Sequence, residues 1–131
     1  MKILLAEDDF VTRKFMTGFL SKYGECDVTV DGMEAVDAFL MALEDDEPYD
    51  LVCLDIMMPV MDGYQALAGI RNLEKERNIP PEKAAKVIMA SALNDEKNVK
   101  VAFDLGCTVY SGKPIDQEKF GQVLKKLGLI D

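Results

Sequence analysis

The feature that most constrains the fold is a repeated switch between two hydrophobic patterns along the chain. Five short apolar runs are typical of buried strands, at Lys2–Ala6, Asp27–Val30, Leu51–Leu54, Lys86–Ala90 and Thr108–Tyr110. Each is followed by apolar residues at helical spacing: Val11, Phe15 and Phe19, with Met16 and Leu20 widening the face; Val36, Phe39, Leu40 and Leu43; Tyr64, Leu67, Ile70 and Leu73; Val99, Ala102 and Phe103; Phe120, Val123, Leu124 and Leu127. Five strands alternating with five helices predict a doubly wound α/β fold, with a five-stranded parallel sheet and helices on both faces.

Polar and turn-forming residues mark where the helices begin and end. The predicted N-caps are Asp31 (with Glu34 completing a capping box), Asn94 and Asp116. Gly106 is expected to end the fourth helix, and the segment from Asn78 to Pro81 to end the third. The polar stretch 71–78 is expected to stand in solvent.

Composition limits the classes of function. A chain of 131 residues has room for one domain, here taken as residues 1–131. The net charge of -9 argues against nucleic-acid binding, because no basic surface is available to replace phosphate counterions. The apolar runs are far shorter than the roughly 20 residues of a membrane span, and no signal peptide is evident, so we expect a cytoplasmic protein without membrane partners. Cys26, Cys53 and Cys107 are too far apart in sequence to suggest a zinc site, and we interpret them as buried thiols.

Acidic residues collect where the predicted strands end. The first strand runs into Glu7, Asp8 and Asp9, and the third runs into Asp55. Ser91 ends the fourth strand, and Lys113 follows the fifth. Because the carboxyl ends of parallel strands share one edge of a sheet, these groups are expected to converge there. Crowded carboxylates either take up protons or hold a cation, and hard oxygen ligands favour Mg²⁺.

Four separated motifs, LLAEDD, LDIMMPVMDG, IMASA and GKP, resemble in order and spacing the receiver domain of two-component response regulators. The resemblance covers essentially the whole chain. It implies a flavodoxin-like (βα)5 fold with the strand order 2-1-3-4-5.

The resemblance also implies a phosphoryl-acceptor site that requires Mg²⁺. Asp55 is expected to accept the phosphoryl group from a phosphohistidine. Asp8 and Asp9 are expected to hold Mg²⁺ together with Asp55 and the backbone carbonyl of Met57.

The remaining expected roles concern the switch. Ser91 matches the switch hydroxyl, Lys113 the lysine that neutralises the phosphoryl group, and Tyr110 the aromatic switch position. Lys113–Pro114 stands where the family usually has a cis peptide bond. Phosphorylation is expected to alter the surface made by the fourth helix, fifth strand and fifth helix.

We therefore expect a single-domain response regulator rather than an enzyme, with self-phosphorylation and slow self-dephosphorylation as its only reactions. The expected partners are a sensor histidine kinase or phosphotransfer protein and a downstream protein target. The chain is expected to be a monomer or a phosphorylation-dependent dimer. Met57 and Leu93 are apolar and are expected to shield the acyl phosphate from water.

Other interpretations of the same residues remain open. Asp8 and Asp9 also suit capping of the first helix. A static pair between Lys113 and Asp55 would describe a degenerate receiver that binds partners without phosphorylation. A haloacid-dehalogenase-like phosphatase would need a second acid where Met57 stands. A flavodoxin-like electron carrier would need hydroxyls and amides, rather than acids, after the first strand.

Overall fold

A computed structural model of the chain describes residues 1–92 and 96–131. The strands are β1 (Lys2–Ala6), β2 (Glu25–Thr29), β3 (Leu51–Asp55), β4 (Lys86–Ser91) and β5 (Val109–Gly112). The helices are α1 (Phe10–Leu20), α2 (Gly32–Glu44), α3 (Gly63–Glu76), a 3-10 turn at Pro81–Lys83, α4 (Glu96–Asp104) and α5 (Gln117–Lys126). All strand pairs are parallel and the order is β2-β1-β3-β4-β5, so the predicted fold is confirmed. Among the described residues, no helix is long and apolar enough to pass through a lipid bilayer.

Alternation along the central strands divides the core into two clusters, one on each face of the sheet. Leu4, Val52 and Met89 belong to the cluster that contains buried residues of α2, α3 and α4. Ile3, Cys53 and Ile88 belong to the cluster that contains buried residues of α1 and α5. All five residues of β3 are buried. The sheet therefore holds β3, and the residue at its carboxyl end, in a fixed position.

Side-chain caps fix most of the helix starts. Asp31 accepts a hydrogen bond from the amide of Glu34, and Asp116 accepts one from the amide of Lys119, as predicted. The Glu34 side chain accepts from the amide of Val30. A reciprocal capping box occurs instead at the start of α3, between Asp62 and Gln65. The predicted cap Asn94 lies outside the described residues.

The expectation that residues 71–78 stand in solvent is wrong for Arg71 and Glu74. Glu74 is only 4% exposed. Its Oε1 lies 2.7 Å from Arg71 Nη1, and its Oε2 accepts the amide of Ala85 at 2.8 Å. Arg71 also donates to the carbonyl oxygens of Ala85 and Gly106. This pair ties α3 to the start of β4 and to Gly106 just beyond α4, where Gly106 has a φ of 102°.

The predicted apolar face of α1 is buried only in part. Its buried residues are Met16, Phe19 and Leu20, whereas Val11 is 73% exposed and Phe15 is 46% exposed. Because α1 packs against the sheet through one narrow stripe, the outer residues of the apolar pattern face solvent. They line a groove that continues along residues 113–115.

Candidate metal centre

Asp55 is the last residue of β3 and is 7% exposed. The strand is flanked by β1 and β4, so the carboxyl edges of three strands meet around this side chain. Gly63, the first residue of α3, approaches the backbone of Asp55 closely. A Cβ added to Gly63 would lie 2.2 Å from the carbonyl oxygen of Asp55. Packing on both sides therefore holds the aspartate in place.

Glu7, Asp8 and Asp55 form a cluster of three carboxylates. Each offers an oxygen atom, and these atoms all lie within 4.8 Å of one another. Glu7 and Asp55 are buried, whereas Asp8 is exposed. Burial raises the pKa of Asp55, the hydrogen bond and negative charge of Glu7 raise it further, and Lys113 acts in the opposite direction. Buried acids beside a solvent-facing third acid make a donor set that suits Mg²⁺.

Lys113 supplies the positive charge of the site. Its Nζ lies 2.5 Å from Oε1 of Glu7 and 3.3 Å from Oδ1 of Asp55. Burial lowers the pKa of this ammonium group, but its bonds to the two acids outweigh burial and the pKa is raised. The Lys113–Pro114 peptide bond is cis, and the Lys113 amide donates to the carbonyl oxygen of Ser91 at 2.9 Å.

The structure does not bring Asp9 into the carboxylate cluster. Its Oδ2 accepts the amide of Thr12 at 2.8 Å and the hydroxyl of Thr12 at 2.7 Å, so Asp9 caps α1. The hydrogen bond from the Thr12 side chain is the main reason why the pKa of Asp9 is lowered. Glu7 takes the third place beside Asp8 and Asp55, although sequence reasoning chose Asp9. One sequence feature could have identified Asp9 as an N-cap: it stands directly before a helix, with a threonine three residues later.

Arg13 supports the loop that carries Glu7 and Asp8. Its Nη1 donates to the carbonyl oxygens of Glu7 at 3.0 Å and Asp8 at 3.2 Å. Since Arg13 is the fourth residue of α1, its bonds join the start of the helix to the acidic loop. Sequence reasoning did not single out Arg13, because a hydrogen bond to backbone oxygens leaves no residue pattern.

The other predicted site residues lie around the same edge of the sheet or next to it. Ser91 ends β4 and is 1% exposed, one position beyond Ala90, which pairs with Asp55. Tyr110 is half-buried on β5 and packs against the cluster that contains Ala102 of α4. Met57 is 63% exposed. Leu93 lies outside the described residues.

The loop after Asp55 is tightly held and contains a strained turn. Gly63 donates its amide to the carbonyl oxygen of Ile56 at 2.8 Å, and Gly32 of α2 donates to that of Met61 at 2.9 Å. Val60 has a φ of 67°, a region that β-branched residues rarely adopt. Such backbone strain costs about 1–3 kcal/mol.

Known proteins resemble this chain in sequence and in fold. The sequence is 36% identical over 131 residues to the chemotaxis protein CheY of Treponema pallidum, covering 98% of this chain and 81% of that protein. The fold matches a chain in the crystal structure of the CheX-CheY-BeF3-Mg²⁺ complex from Borrelia burgdorferi, with a TM-score of 0.80, 32% identity, and coverage of 96% of this chain and 88% of that one. It also matches the co-crystal structure of the Saccharomyces cerevisiae phosphotransfer protein Ypd1 with the receiver domain of Ssk1, with a TM-score of 0.82, 22% identity, and coverage of 98% of this chain and 88% of that one.

Several curated relatives are longer than this chain. It spans 55% of the length of a probable transcriptional regulator from Porphyra purpurea, at 31% identity over 95% of this chain. It spans 7% of the length of a peroxide stress-activated histidine kinase from Schizosaccharomyces pombe, at 34% identity over 93% of this chain. The profile of the family described as response regulator receiver domain matches residues 3–125. The chain belongs to the response regulator receiver domain family.

Proposed function

We propose that Asp55 accepts a phosphoryl group from a histidine kinase or a histidine phosphotransfer protein, and that this modification controls binding to a downstream protein. The observation that carries the proposal is the position of Asp55. Its carboxylate lies at a sheet edge inside a cluster of three acids, with the Lys113 ammonium group 3.3 Å away. A carboxylate that becomes an acyl phosphate gains negative charge in an already acidic site, so a cation such as Lys113 is required beside it.

Glu7, Asp8 and Asp55 are the side chains that would hold Mg²⁺, with the backbone carbonyl of Met57 as a further ligand. The metal would neutralise negative charge on the phosphoryl oxygens. Three carboxylate oxygens within 4.8 Å of one another support this assignment, because Mg²⁺ binds through hard oxygens and keeps several waters. The exposed position of Asp8 gives those waters room.

In the transfer step, an Asp55 carboxylate oxygen attacks the phosphorus atom of phosphohistidine. The new P–O bond forms as the P–N bond breaks, and the electron pair of that bond stays on the imidazole nitrogen. Lys113 reaches the developing charge as a compact cation on a flexible stem. Ser91, at the end of β4, would donate its hydroxyl to a phosphoryl oxygen once the group is in place.

The proposed output is a change in the surface made by α4, β5 and α5. Ser91 and Tyr110 lie on neighbouring strands, and Ser91 pairs with Gly112 at the end of β5. Between β5 and α5 lies a groove of about 330 Å³, whose lining includes Tyr110, Ser111 and Lys119. Movement of Ser91 toward the phosphoryl group would therefore displace its strand partner Gly112, which lines this groove.

The test is phosphorylation by a small donor. The chain is incubated with Mg²⁺ and acetyl phosphate, and the intact mass is measured. A gain of one phosphoryl group is expected in the wild type and in Asp37→Asn, an exposed control on α2, but not in Asp55→Asn. No gain in the wild type would contradict the proposal. It would favour a module that binds partners without phosphorylation, held by the existing contacts of Lys113 with the two acids.

A further inference from the structure

Val60 occupies the centre of a three-residue turn that is unfavourable for valine. Its φ is 67°, and the Met61 amide donates to the carbonyl oxygen of Pro59 at 2.7 Å. A bond between residues two apart with a positive central φ defines a γ-turn of the rare, strained type. The two methyl groups of valine crowd the backbone in this conformation, whereas glycine or asparagine adopts it readily.

Burial does not explain why valine stands at this position. Its side chain is 77% exposed, the highest value among the large apolar residues of the two described segments, 1–92 and 96–131. The other non-glycine residues with positive φ in these segments are Asp46 and Asn78, which tolerate this conformation. Val60 thus gains neither a relaxed backbone nor burial from the fold. Its role must be sought outside the isolated chain.

The position of Val60 is fixed relative to Asp55. The loop is pinned at one end by the bond from Gly63 to Ile56 and at the other by the bond from Gly32 to Met61. Pro59 removes further freedom just before the turn. Val60 therefore lies in a constrained turn five residues after Asp55, rather than in a mobile loop.

Exposed apolar residues also follow the neighbouring strand, β1. Phe10 and Val11 come after β1, which pairs with β3, and they are 65% and 73% exposed. The six residues from Ile56 to Met61 carry no charge. One side of the access to the buried carboxylate of Asp55 is thus bordered by the uncharged loop 56–61, whereas the loop after β1 carries the exposed acids Asp8 and Asp9. The uncharged loop accepts a phosphorylated surface without like-charge repulsion.

We propose that Val60 is an apolar contact for the protein that delivers the phosphoryl group, a domain carrying phosphohistidine on its surface. This inference rests on the proposed function of Asp55. Any donor must bring the phosphorus atom carried by its ring nitrogen to within bonding distance of an Asp55 oxygen, so its surface must come close to the neighbouring loop. An apolar side chain held rigidly there makes contact without losing conformational freedom. Small donors do not need this contact.

The test compares two kinds of donor on three variants. Val60→Asn removes the apolar contact and relieves the strain, Val60→Ile keeps both, and Met41→Asn removes a side chain that is 62% exposed near the carboxyl end of α2. The protein donor is phosphorylated Ypd1, and the small donor is acetyl phosphate. Asparagine should raise the Tm by about 2–5 °C, because it tolerates a positive φ better than a β-branched residue does.

For Val60→Asn we expect the second-order rate constant with phosphorylated Ypd1 to fall by about tenfold, the change produced by one lost apolar contact of 1.4 kcal/mol. Labelling by acetyl phosphate should stay within about twofold of the wild type. Val60→Ile and Met41→Asn should match the wild type with both donors.

Equal transfer from Ypd1 to Val60→Asn and to the wild type would overturn the inference, and so would the absence of transfer to the wild type. Loss of self-association in Val60→Asn, with transfer unchanged, would also overturn it, in favour of a contact between copies of this chain. Failure of acetyl phosphate to label the wild type would instead refute the proposed function. The two failures are therefore distinguishable.

Discussion

The Nζ atom of Lys113 lies 2.5 Å from Oε1 of Glu7, although 106 positions separate the two residues in the chain. The contact joins the loop after β5 to the loop after β1 across the carboxyl edge of the sheet. Lys113 also lies 3.3 Å from Asp55, so one ammonium group neutralises two of the three clustered acids. The lysine therefore supplies part of the positive charge that a divalent cation would supply.

Replacing Lys113 with methionine should tighten Mg²⁺ binding. Removing a positive charge beside the carboxylates leaves more negative charge for the metal, and we expect the Kd to fall by about tenfold. Titration calorimetry at neutral pH measures the effect. Lys100→Met is a suitable control, because Lys100 pairs with Asp104 on the exposed side of α4 and its side chain is 77% exposed. Unchanged or weaker binding in Lys113→Met would show that the lysine does not compete with the metal.

Glu7→Gln and Asp9→Asn distinguish the two candidate ligands beside Asp8. Glutamine in place of Glu7 removes one charge from the cluster, and we expect Mg²⁺ affinity to fall by about tenfold. Asparagine is as good an N-cap as aspartate, so Asp9→Asn should preserve α1 and change the affinity by less than about twofold. Both affinities are measured by calorimetry. The opposite ranking of the two variants would restore Asp9 as the ligand.

The contrast between Glu7 and Asp9 shows where sequence reasoning loses precision. The hydrophobic pattern located all five strands to within a few residues, because burial on both faces of a parallel sheet leaves a strong signal. It placed three consecutive acids after β1 without deciding which of them point inward. That choice depends on where α1 begins, and helix starts are uncertain by one or two residues in sequence.

Contacts among several elements were equally hidden from the sequence. Arg71 and Glu74 look like an ordinary pair on a solvated helix, yet they meet the backbone of Ala85 and Gly106 in the interior. The apolar residues Val11 and Phe15 look like core and are exposed. In each case the deciding factor is how a helix packs against its neighbouring elements, which the local pattern does not encode.

Two glycine substitutions test the rigidity of the loop after Asp55. Gly63→Ala places a Cβ 2.2 Å from the carbonyl oxygen of Asp55, so either α3 or the end of β3 must move. We expect a loss of about 1–3 kcal/mol in the free energy of unfolding. Gly18→Ala, on the exposed side of α1 with no atom within 4 Å, should instead gain about 0.5–1 kcal/mol.

Urea denaturation of both variants measures these changes, and the slope of the transition shows whether the unfolded state is affected. Gly63→Ala should also weaken Mg²⁺ binding, since it displaces the aspartate, whereas Gly18→Ala should leave it unchanged. If Gly63→Ala were as stable as the wild type, the close packing of α3 on Asp55 would not be maintained in solution.

Met57 provides the last prediction, on the lifetime of the phosphorylated state. It stands two residues after Asp55, is 63% exposed, and carries no group that can hydrogen-bond water strongly. Asparagine at this position would orient a water molecule near the acyl phosphate. We expect Met57→Asn to shorten the half-life by about threefold to tenfold, which corresponds to a reduction of roughly 0.6–1.4 kcal/mol in the barrier to hydrolysis.

To measure the half-life, the protein is labelled with acetyl phosphate, the donor is removed, and the phosphorylated fraction is followed by intact mass. Met41→Asn, whose methionine is equally exposed but lies near the far end of α2, should decay like the wild type. An equal or longer half-life in Met57→Asn would show that this side chain does not shield the phosphoryl group.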